Sequence, residues 1–284
     1  MVNLLPVCSG QSNFFSQSDM ILYFSGCGNS KFVADELARL TNDRLALINP
    51  MESDPSLTLS ADESLGFVCP VYSWAVPRIV SDYVSRLKIN IIPSYTYLAC
   101  TCGDNVGRTP ERFAKVLKAK GIMLDAAFSF VMPETYINLK GFNLDTDENA
   151  ARKINAVRER LPQVAERIGR REKVVDVVRG KVPWLNTYVT NALFYSLLIT
   201  DKKFYTTDRC ISCGICAKVC PLGNITMSGD YADPQGSAKQ GLRPVWHGNC
   251  TNCMACYHHC PNNAIHFGKA TQGKGQYVFP KKEK

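Results

Sequence analysis

Eight of the thirteen cysteines in this 284-residue chain fall into two short runs of identical spacing. Each run reads Cys-x-x-Cys-x-x-Cys-x-x-x-Cys-Pro, one from Cys210 to Pro221 and the other from Cys250 to Pro261. The first three thiols of a run lie on one tight loop and can bind three corners of the same cubane cluster. The fourth thiol of the run lies too far along the chain to bind the remaining corner of that cluster. The spacing is therefore typical of two [4Fe–4S] clusters that exchange their fourth ligands, and the two runs must lie side by side.

In this crossed arrangement the fourth cysteine of each run belongs to the cluster of the other run. The first cluster takes Cys210, Cys213, Cys216 and Cys260, and the second takes Cys250, Cys253, Cys256 and Cys220. Soft thiolates also suit zinc, and a cluster can be structural rather than redox-active. Two repeated four-cysteine runs favour iron–sulfur clusters with a redox role over both alternatives.

Residues 204–268 resemble a bacterial ferredoxin with two [4Fe–4S] clusters. The likeness rests on CISCGICAKVCP, from Cys210, and CTNCMACYHHCPNNAI, from Cys250. One departure is the long connection from Thr226 to Gly248, which we interpret as a solvated loop, with a partner contact as the alternative. All four histidines lie in this region and are predicted to be at the surface.

The N-terminal half alternates apolar runs with helical periodicity, beginning with Met20–Phe24 and Asn29–Leu40. This alternation predicts an α/β fold, with a doubly wound parallel sheet covered by helices on both faces. The turn between the first strand and the first helix is rich in glycine and small polar residues, and its amides predict a phosphate site. The candidate phosphate-binding residues are Ser25, Gly26, Cys27, Gly28, Asn29 and Ser30.

Two more loops follow predicted strands at the same edge of the sheet and offer side chains for a flat ring. The candidate ring-binding residues are Tyr72, Ser73, Trp74, Thr101, Cys102 and Gly103. The two aromatics could instead be ordinary core or surface residues, and Cys27 is either a packing residue or a reactive thiol. The chain offers one loop for a single phosphate, and this loop lacks the third glycine of the dinucleotide-binding fingerprint. Because FMN has one phosphate and FAD is a dinucleotide, the loop favours FMN.

These three segments resemble those of flavodoxins over residues 20–170, and the whole chain resembles the flavodoxin–ferredoxin fusion proteins of anaerobic bacteria and archaea. The resemblance implies a flavodoxin-like FMN domain followed by a small α+β domain with two [4Fe–4S] clusters. It divides the chain into an N-terminal extension (1–19), a flavodoxin-like domain (20–172), a helical linker (173–203), a ferredoxin domain (204–270) and a basic tail (271–284). Cys27 stands where flavodoxins usually have threonine, which removes one hydroxyl donor.

Charge and cysteine usage indicate the setting of the protein and its partners. Residues 1–150 hold 12 basic and 16 acidic side chains, whereas residues 151–200 hold 10 and 4, so attraction between the two halves is expected. The basic residues are not interleaved with aromatics, which disfavours a nucleic-acid partner. Clustered cysteines without a secretory pattern indicate a reducing cytoplasm, and oxygen-labile clusters suggest an anaerobe.

The stretch Val182–Ile199 has no charged residue over 18 positions. Its polar residues favour a helix packed between the two domains, with membrane association as the less favoured alternative. We therefore expect no membrane partner.

The predicted function is redox: electrons pass between two clusters, a bound FMN and an external partner, either a redox protein or a small-molecule acceptor. The alternative is a flavin-dependent reductase of a small organic substrate fed by its own ferredoxin domain; a redox sensor is less favoured. No catalytic residue is identified, and the candidate proton donors are Tyr72, Tyr136, Asp104 and Cys102. The sequence leaves open the substrate, the direction of electron flow and whether the chain forms a homodimer.

Overall fold

The computed structural model describes residues 19–232 and 238–280, so all but the last residue of the predicted N-terminal extension lies outside the described residues. The first half of the chain contains eight strands. They are β1 Met20–Tyr23, β2 Arg44–Leu47, β3 Ser56–Leu57, β4 Ser64–Pro70, β5 Lys88–Ile89, β6 Tyr95–Cys102, β7 Ala126–Val131 and β8 Val175–Asp176.

Six of these strands form one parallel sheet in the order β2-β1-β4-β6-β7-β8, while β3 and β5 pair only with each other. Without that short pair, the order is the 2-1-3-4-5 succession of flavodoxin-like folds, extended by one edge strand. Helices α1 Asn29–Thr41 and α4 Asp147–Gly169 cover one face, and α2 Arg78–Arg86 and α3 Thr109–Lys118 cover the other. The predicted doubly wound α/β fold is confirmed.

The edge strand β8 lies beyond residue 172, where the flavodoxin-like domain was predicted to end. Val175 and Asp176 pair in parallel with Ala127 and Phe128 of β7. A two-residue strand is too short to produce a periodic pattern, which is why the sequence did not reveal it. The sheet therefore continues into the segment predicted as linker.

The predicted helix within 182–199 is present as three consecutive parts: α5 Pro183–Leu185, a π-helical turn Asn186–Thr190 and α6 Asn191–Leu197. We call this run the linker helix. The buried residues of the linker helix are polar, namely Thr187 and Asn191. Just beyond the end of the helix, the side-chain amide of Asn252 donates to the carbonyl of Leu198 (3.1 Å). The run thus contacts both halves. Among the described residues, no helix has the length and apolarity needed to cross a membrane.

The second half contains β9 Phe204–Thr206, α7 Ile215–Lys218, β10 Ile225–Ala232, β11 Ala238–Trp246, α8 Ala255–His258 and β12 Ile265–Phe267. Antiparallel pairing of β9 with β12 gives the small α+β domain that was predicted. The connection predicted as a solvated loop is instead an antiparallel hairpin of β10 and β11, apart from residues 233–237, which lie outside the described residues. Ile225 explains the difference, because it belongs to the hydrophobic core of this half and anchors the hairpin there.

The segment 271–280, which we call the C-terminal strap, is packed against both halves, although the sequence predicted a separate basic tail from residue 271 onwards. The Tyr277 amide donates to Nδ1 of His258 (3.2 Å), and the Tyr277 hydroxyl donates to Oδ1 of Asn29 (3.0 Å). The Phe279 amide donates to the Cys27 carbonyl (2.9 Å). Residues 281–284 lie outside the described residues.

His258 is buried at this joint, so the prediction of a surface position is wrong for this histidine. Because its Nδ1 accepts from Tyr277, its Nε2 carries the proton and donates to the carbonyl of Thr135 (2.8 Å). Burial lowers the pKa of His258 to about 4, which keeps the ring neutral at physiological pH. One neutral imidazole thereby connects the cysteine-rich half, the strap and the flavodoxin-like half.

The Gly28→Ala substitution should destabilise the protein. Gly28 has φ +100°, and an added Cβ would lie 1.7 Å from the Phe279 carbonyl oxygen. Left-handed strain together with displacement of the strap should lower the free energy of unfolding by more than about 1 kcal/mol. Urea denaturation measures this, with Gly169→Ala as the control, because an added Cβ there meets no atom within 4 Å. Equal stability of the two variants would contradict the described packing of the strap.

Candidate functional site: a cavity between the two halves

A cavity of about 610 Å³ opens at the carboxyl edge of the sheet, beside the ends of β1 and β4. This is the topological switch point, where ligands of open α/β sheets bind. Eleven of the twelve predicted phosphate- and ring-binding residues line it: Ser25, Gly26, Cys27, Asn29, Ser30, Tyr72, Ser73, Trp74, Thr101, Cys102 and Gly103. The twelfth, Gly28, packs against Phe279 of the strap instead.

The loop after β1 forms one end of this cavity. Ser25 Oγ accepts from the Gly28 amide (3.1 Å), and Ser30 Oγ lies 2.7 Å from Oγ1 of Thr101. No side chain caps the N-terminus of α1, and no acidic residue occupies its first turn. The first amides of α1 therefore remain available to an anion such as a phosphate.

The loop after β4 is held in a strained conformation, since Ser73 (φ 48°) and Trp74 (φ 59°) are both left-handed. Such residues cost about 1–3 kcal/mol each and persist only where their surroundings hold them. The Trp74 indole donates to Oδ1 of Asn105 (2.8 Å), the Asn191 amide to the Ser73 carbonyl (2.7 Å), and the Thr187 hydroxyl to the Trp74 carbonyl (3.1 Å). The two predicted ring loops are thus fixed to each other and to the linker helix.

The second half of the chain closes one side of the cavity with residues 251–254. A Cβ added to Gly26 would lie 3.0 Å from the carbonyl oxygen of Cys253, and the Cys27 thiol donates to the same oxygen at 3.5 Å. A predicted cluster loop therefore packs directly on the predicted phosphate loop. Nothing in the cysteine spacing indicates this contact, because the two loops are more than 220 residues apart in the chain.

An apolar wall faces the predicted ring loops, and the sequence did not identify it. Leu139, Phe142, Leu193, Phe194 and Leu197 line this side of the cavity. Their hydrophobicity is ordinary, so no sequence pattern distinguishes them. Leu193, Phe194 and Leu197 reach the site because the linker helix lies beside it, and Leu139 and Phe142 come from the segment between β7 and α4.

Burial controls the titratable groups of the cavity. It raises the pKa of the Cys27 thiol well above its usual range, which favours the packing role over the reactive one. Burial also raises the pKa of Cys102 and of Tyr136 to about 12, so both stay protonated at neutral pH. The Tyr136 hydroxyl is buried and has no hydrogen-bond partner among the described residues.

The two cysteine runs lie next to each other in the crossed sets. Cys210, Cys213, Cys216 and Cys260 line one small cavity. No three or more His, Cys, Asp or Glu side chains in the described part converge as a site for a single metal ion.

The cysteines of the other set are also close to one another. Burial raises the pKa of Cys250 to about 11 and that of Cys253 to about 12, and the nearby Cys220 adds to both shifts. The pKa of Cys256 is raised for the same reasons, burial first and the neighbouring cysteines next. Cys220 therefore lies close to the second run in space, although it belongs to the first run in the sequence.

Comparison with known proteins identifies a domain within the second half of the chain. Residues 209–265 match the sequence profile of the 4Fe-4S dicluster domain. A search of curated proteins found no match to this chain. The chain therefore joins a flavodoxin-like domain, recognised from its strand order, to a 4Fe-4S dicluster domain.

Solved structures similar to the first half share little sequence with it. A putative flavoprotein from Bacteroides uniformis is 15% identical, with 40% of this chain and 90% of that chain covered and a TM-score of 0.32. An azoreductase from Bacillus anthracis is 12% identical (52% and 99% covered, TM-score 0.34). The Trp repressor binding protein from Bacillus subtilis is 11% identical (51% and 96% covered, TM-score 0.30).

The Cys220→Ser substitution should release the cysteines of the other run. If Cys220 completes the second cluster, its loss should expose Cys250, Cys253 and Cys256 to alkylation and leave Cys210, Cys213 and Cys216 protected. Mass spectrometry of the anaerobically alkylated, iron-loaded protein measures this, and Cys260→Ser is the matched control with the opposite pattern expected. Alkylation of Cys213 and Cys216 in the Cys220→Ser protein would overturn the crossed assignment.

Proposed function

We propose that the protein exchanges single electrons with an external carrier through two [4Fe–4S] clusters and passes them to or from FMN in the cavity. The observation that carries this proposal is the packing of the Cys253 loop on Gly26 and Cys27. FMN takes up two electrons and each cluster takes one, so a chain that holds both converts between one- and two-electron chemistry.

The residues of the cavity fit FMN. Ser73 Oγ and the Tyr136 hydroxyl are buried without a partner among the described residues, and both residues line the cavity. Buried polar groups are normally satisfied, so a polar ligand is the expected partner of both. A side chain at Gly103 would displace Glu134, because an added Cβ would lie 2.2 Å from a carboxylate oxygen of Glu134. Ser25, Asn29 and Ser30 would hold the phosphate, and the loops carrying Trp74 and Gly103 would flank the ring.

The exposure of the cysteines supports an order for the redox centres. Cys213, in the first set, is exposed, whereas Cys253, in the second set, borders the cavity. The first cluster is therefore the centre that meets an external carrier, and the second is the one that exchanges electrons with FMN.

A second candidate function is reduction of a small organic substrate at the flavin. The specific observation in its favour is the apolar wall, because flat apolar molecules bind in pockets of this composition. Tyr136, in edge-to-face contact with Phe142 and Phe194 (centroids 5.9 and 5.6 Å apart), would contribute a protonated hydroxyl there. Sustained turnover of small aromatic acceptors by the loaded protein, slowed by Tyr136→Phe, would favour this function over electron carriage alone.

FMN should bind more tightly than FAD, and the Ser30→Asp substitution should weaken FMN binding. Ser30 lies at the phosphate end of the cavity. A carboxylate about 4 Å from the phosphate would repel it by ~4 kcal/mol at an effective dielectric near 20. Quenching of flavin fluorescence measures both affinities, and Ser30→Ala is the control that removes the hydroxyl without adding charge. Equal or tighter binding of FAD would argue against FMN, and equal FMN affinity in the two variants would argue against this position for the phosphate.

Electrons should move between the clusters and FMN within one chain. Because the second cluster borders the cavity, flavin reduction after rapid cluster reduction should be first-order, with a rate independent of protein concentration. Anaerobic stopped-flow absorbance of the loaded protein measures this rate. As a control, Cys210→Ser should slow reduction by a ferredoxin-class donor without changing the FMN content. A rate that rises in proportion to protein concentration would mean that the centres meet only between molecules.

A further inference from the structure

The linker helix presents an exposed aliphatic ridge, which we define as Leu185, Val189, Leu193 and Leu197. Their spacing of four residues places them on one side of the helix, and Leu193 and Leu197 are 53% and 71% exposed. Trp184 stands beside the N-terminal end of the ridge and is 57% exposed. A surface helix ordinarily turns its apolar stripe towards the core, whereas this helix is reversed: Leu185 and Val189 lie outside the cavity, and Leu193 and Leu197 are exposed at its border.

Hydrogen bonds hold the helix in this reversed orientation. Arg108 donates its amide to the Thr187 hydroxyl (2.8 Å), and Asn191 donates to the Ser73 carbonyl on the neighbouring loop. Arg112 contacts both the Thr187 carbonyl (3.0 Å) and Oδ1 of Asn191 (2.5 Å). Turning the ridge inward would break all of these bonds and leave buried polar groups unpaired.

Basic side chains predominate among the charged groups that flank the helix, although the exposed Asp82 also lies near Tyr195. The Arg78 guanidinium lies 3.9 Å from the ring centroid of Tyr195, and the Lys115 ammonium lies 5.6 Å from that of Tyr188. Lys181 precedes the helix, which itself has no charged residue. The nearby carboxylate of Glu111 is paired with Arg179 (2.7 Å) and is not a free negative charge on this side.

We propose that this face docks on an anionic lipid bilayer, with the ridge among the head groups and the flanking cations on lipid phosphates. An uncharged ridge with aromatic residues at its end and basic residues beside it has the composition of helices that lie in a membrane interface. A bilayer needs no complementary shape, whereas a second copy of the chain would bring the same cations together. The proposal departs from the expectation of no membrane partner, which rested on the polar residues of this stretch; two of them, Thr187 and Asn191, are buried in the structure.

The test is co-flotation of the loaded, full-length protein with vesicles of phosphatidylcholine alone or of equal parts phosphatidylcholine and phosphatidylglycerol. The wild type should bind the anionic vesicles at least ~10-fold more tightly, and added salt should weaken this binding. The double variant Leu185→Ser/Val189→Ser should lose at least ~10-fold of this affinity. These two residues do not line the cavity, so FMN content reports separately on the proposed function. Met123→Ser, at a 70% exposed position away from the ridge, is the matched control.

A second measurement does not depend on the double variant folding. Brominated anionic lipids should quench the tryptophan fluorescence of the wild type, and Trp184→Phe should remove that quenching. Absence of wild-type binding to anionic vesicles, or unchanged binding of a folded double variant, overturns the proposal. A dimer that the double variant dissociates, without vesicle binding, also overturns it and makes the ridge an interface between copies.

Discussion

The contact between Gly26 and the backbone of Cys253 is the constraint on which the arrangement of the two halves depends. A side chain at Gly26 would come within 3.0 Å of the Cys253 carbonyl and within 3.3 Å of the Tyr72 hydroxyl. Because glycine has none, the cysteine loop approaches the carboxyl edge of the sheet directly. The cavity therefore borders a predicted cluster ligand instead of opening to solvent on that side.

The C-terminal strap and His258 keep this contact in place. The strap joins Cys27 and Asn29 of the first half to His258 of the second, and His258 in turn bonds to Thr135. These bonds fall on both sides of the cavity, so loss of the strap would loosen the two halves from each other. All of these contacts are made by neutral groups. The electrostatic attraction between the two halves that the net charges predicted is therefore not what forms them.

Burial of the cluster cysteines has a cost that a bound cluster must offset. Enclosure raises the pKa of Cys216 and Cys250 to about 11, and that of Cys253 to about 12, which favours the neutral thiols over the thiolates. Thiolate ligation releases these protons, which links assembly of the clusters to pH and to folding. The exposed Cys213 lies outside this enclosure.

The sequence by itself determined the two kinds of domain, because their signals are local. Cysteine spacing within Cys210–Cys220 and Cys250–Cys260 depends on loop geometry, and the loop 25–30 carries its amides and glycines in consecutive positions. The alternation of apolar runs likewise predicted the parallel sheet. Local patterns did not reveal β8 or the β10–β11 hairpin, since a two-residue strand and a glycine-containing hairpin produce no clear period.

Only the tertiary structure decided how the parts meet. The approach of Cys253 to Gly26, the burial of His258 and the packing of Phe279 on the loop at Cys27 join residues far apart in the chain. The linker helix shows the physical reason most plainly. Its composition predicted a helix, but its orientation follows from hydrogen bonds that Thr187 and Asn191 make to loops of the flavodoxin-like domain. Such partners exist only once the sheet has formed, so no pattern within residues 182–199 could show which face would be buried.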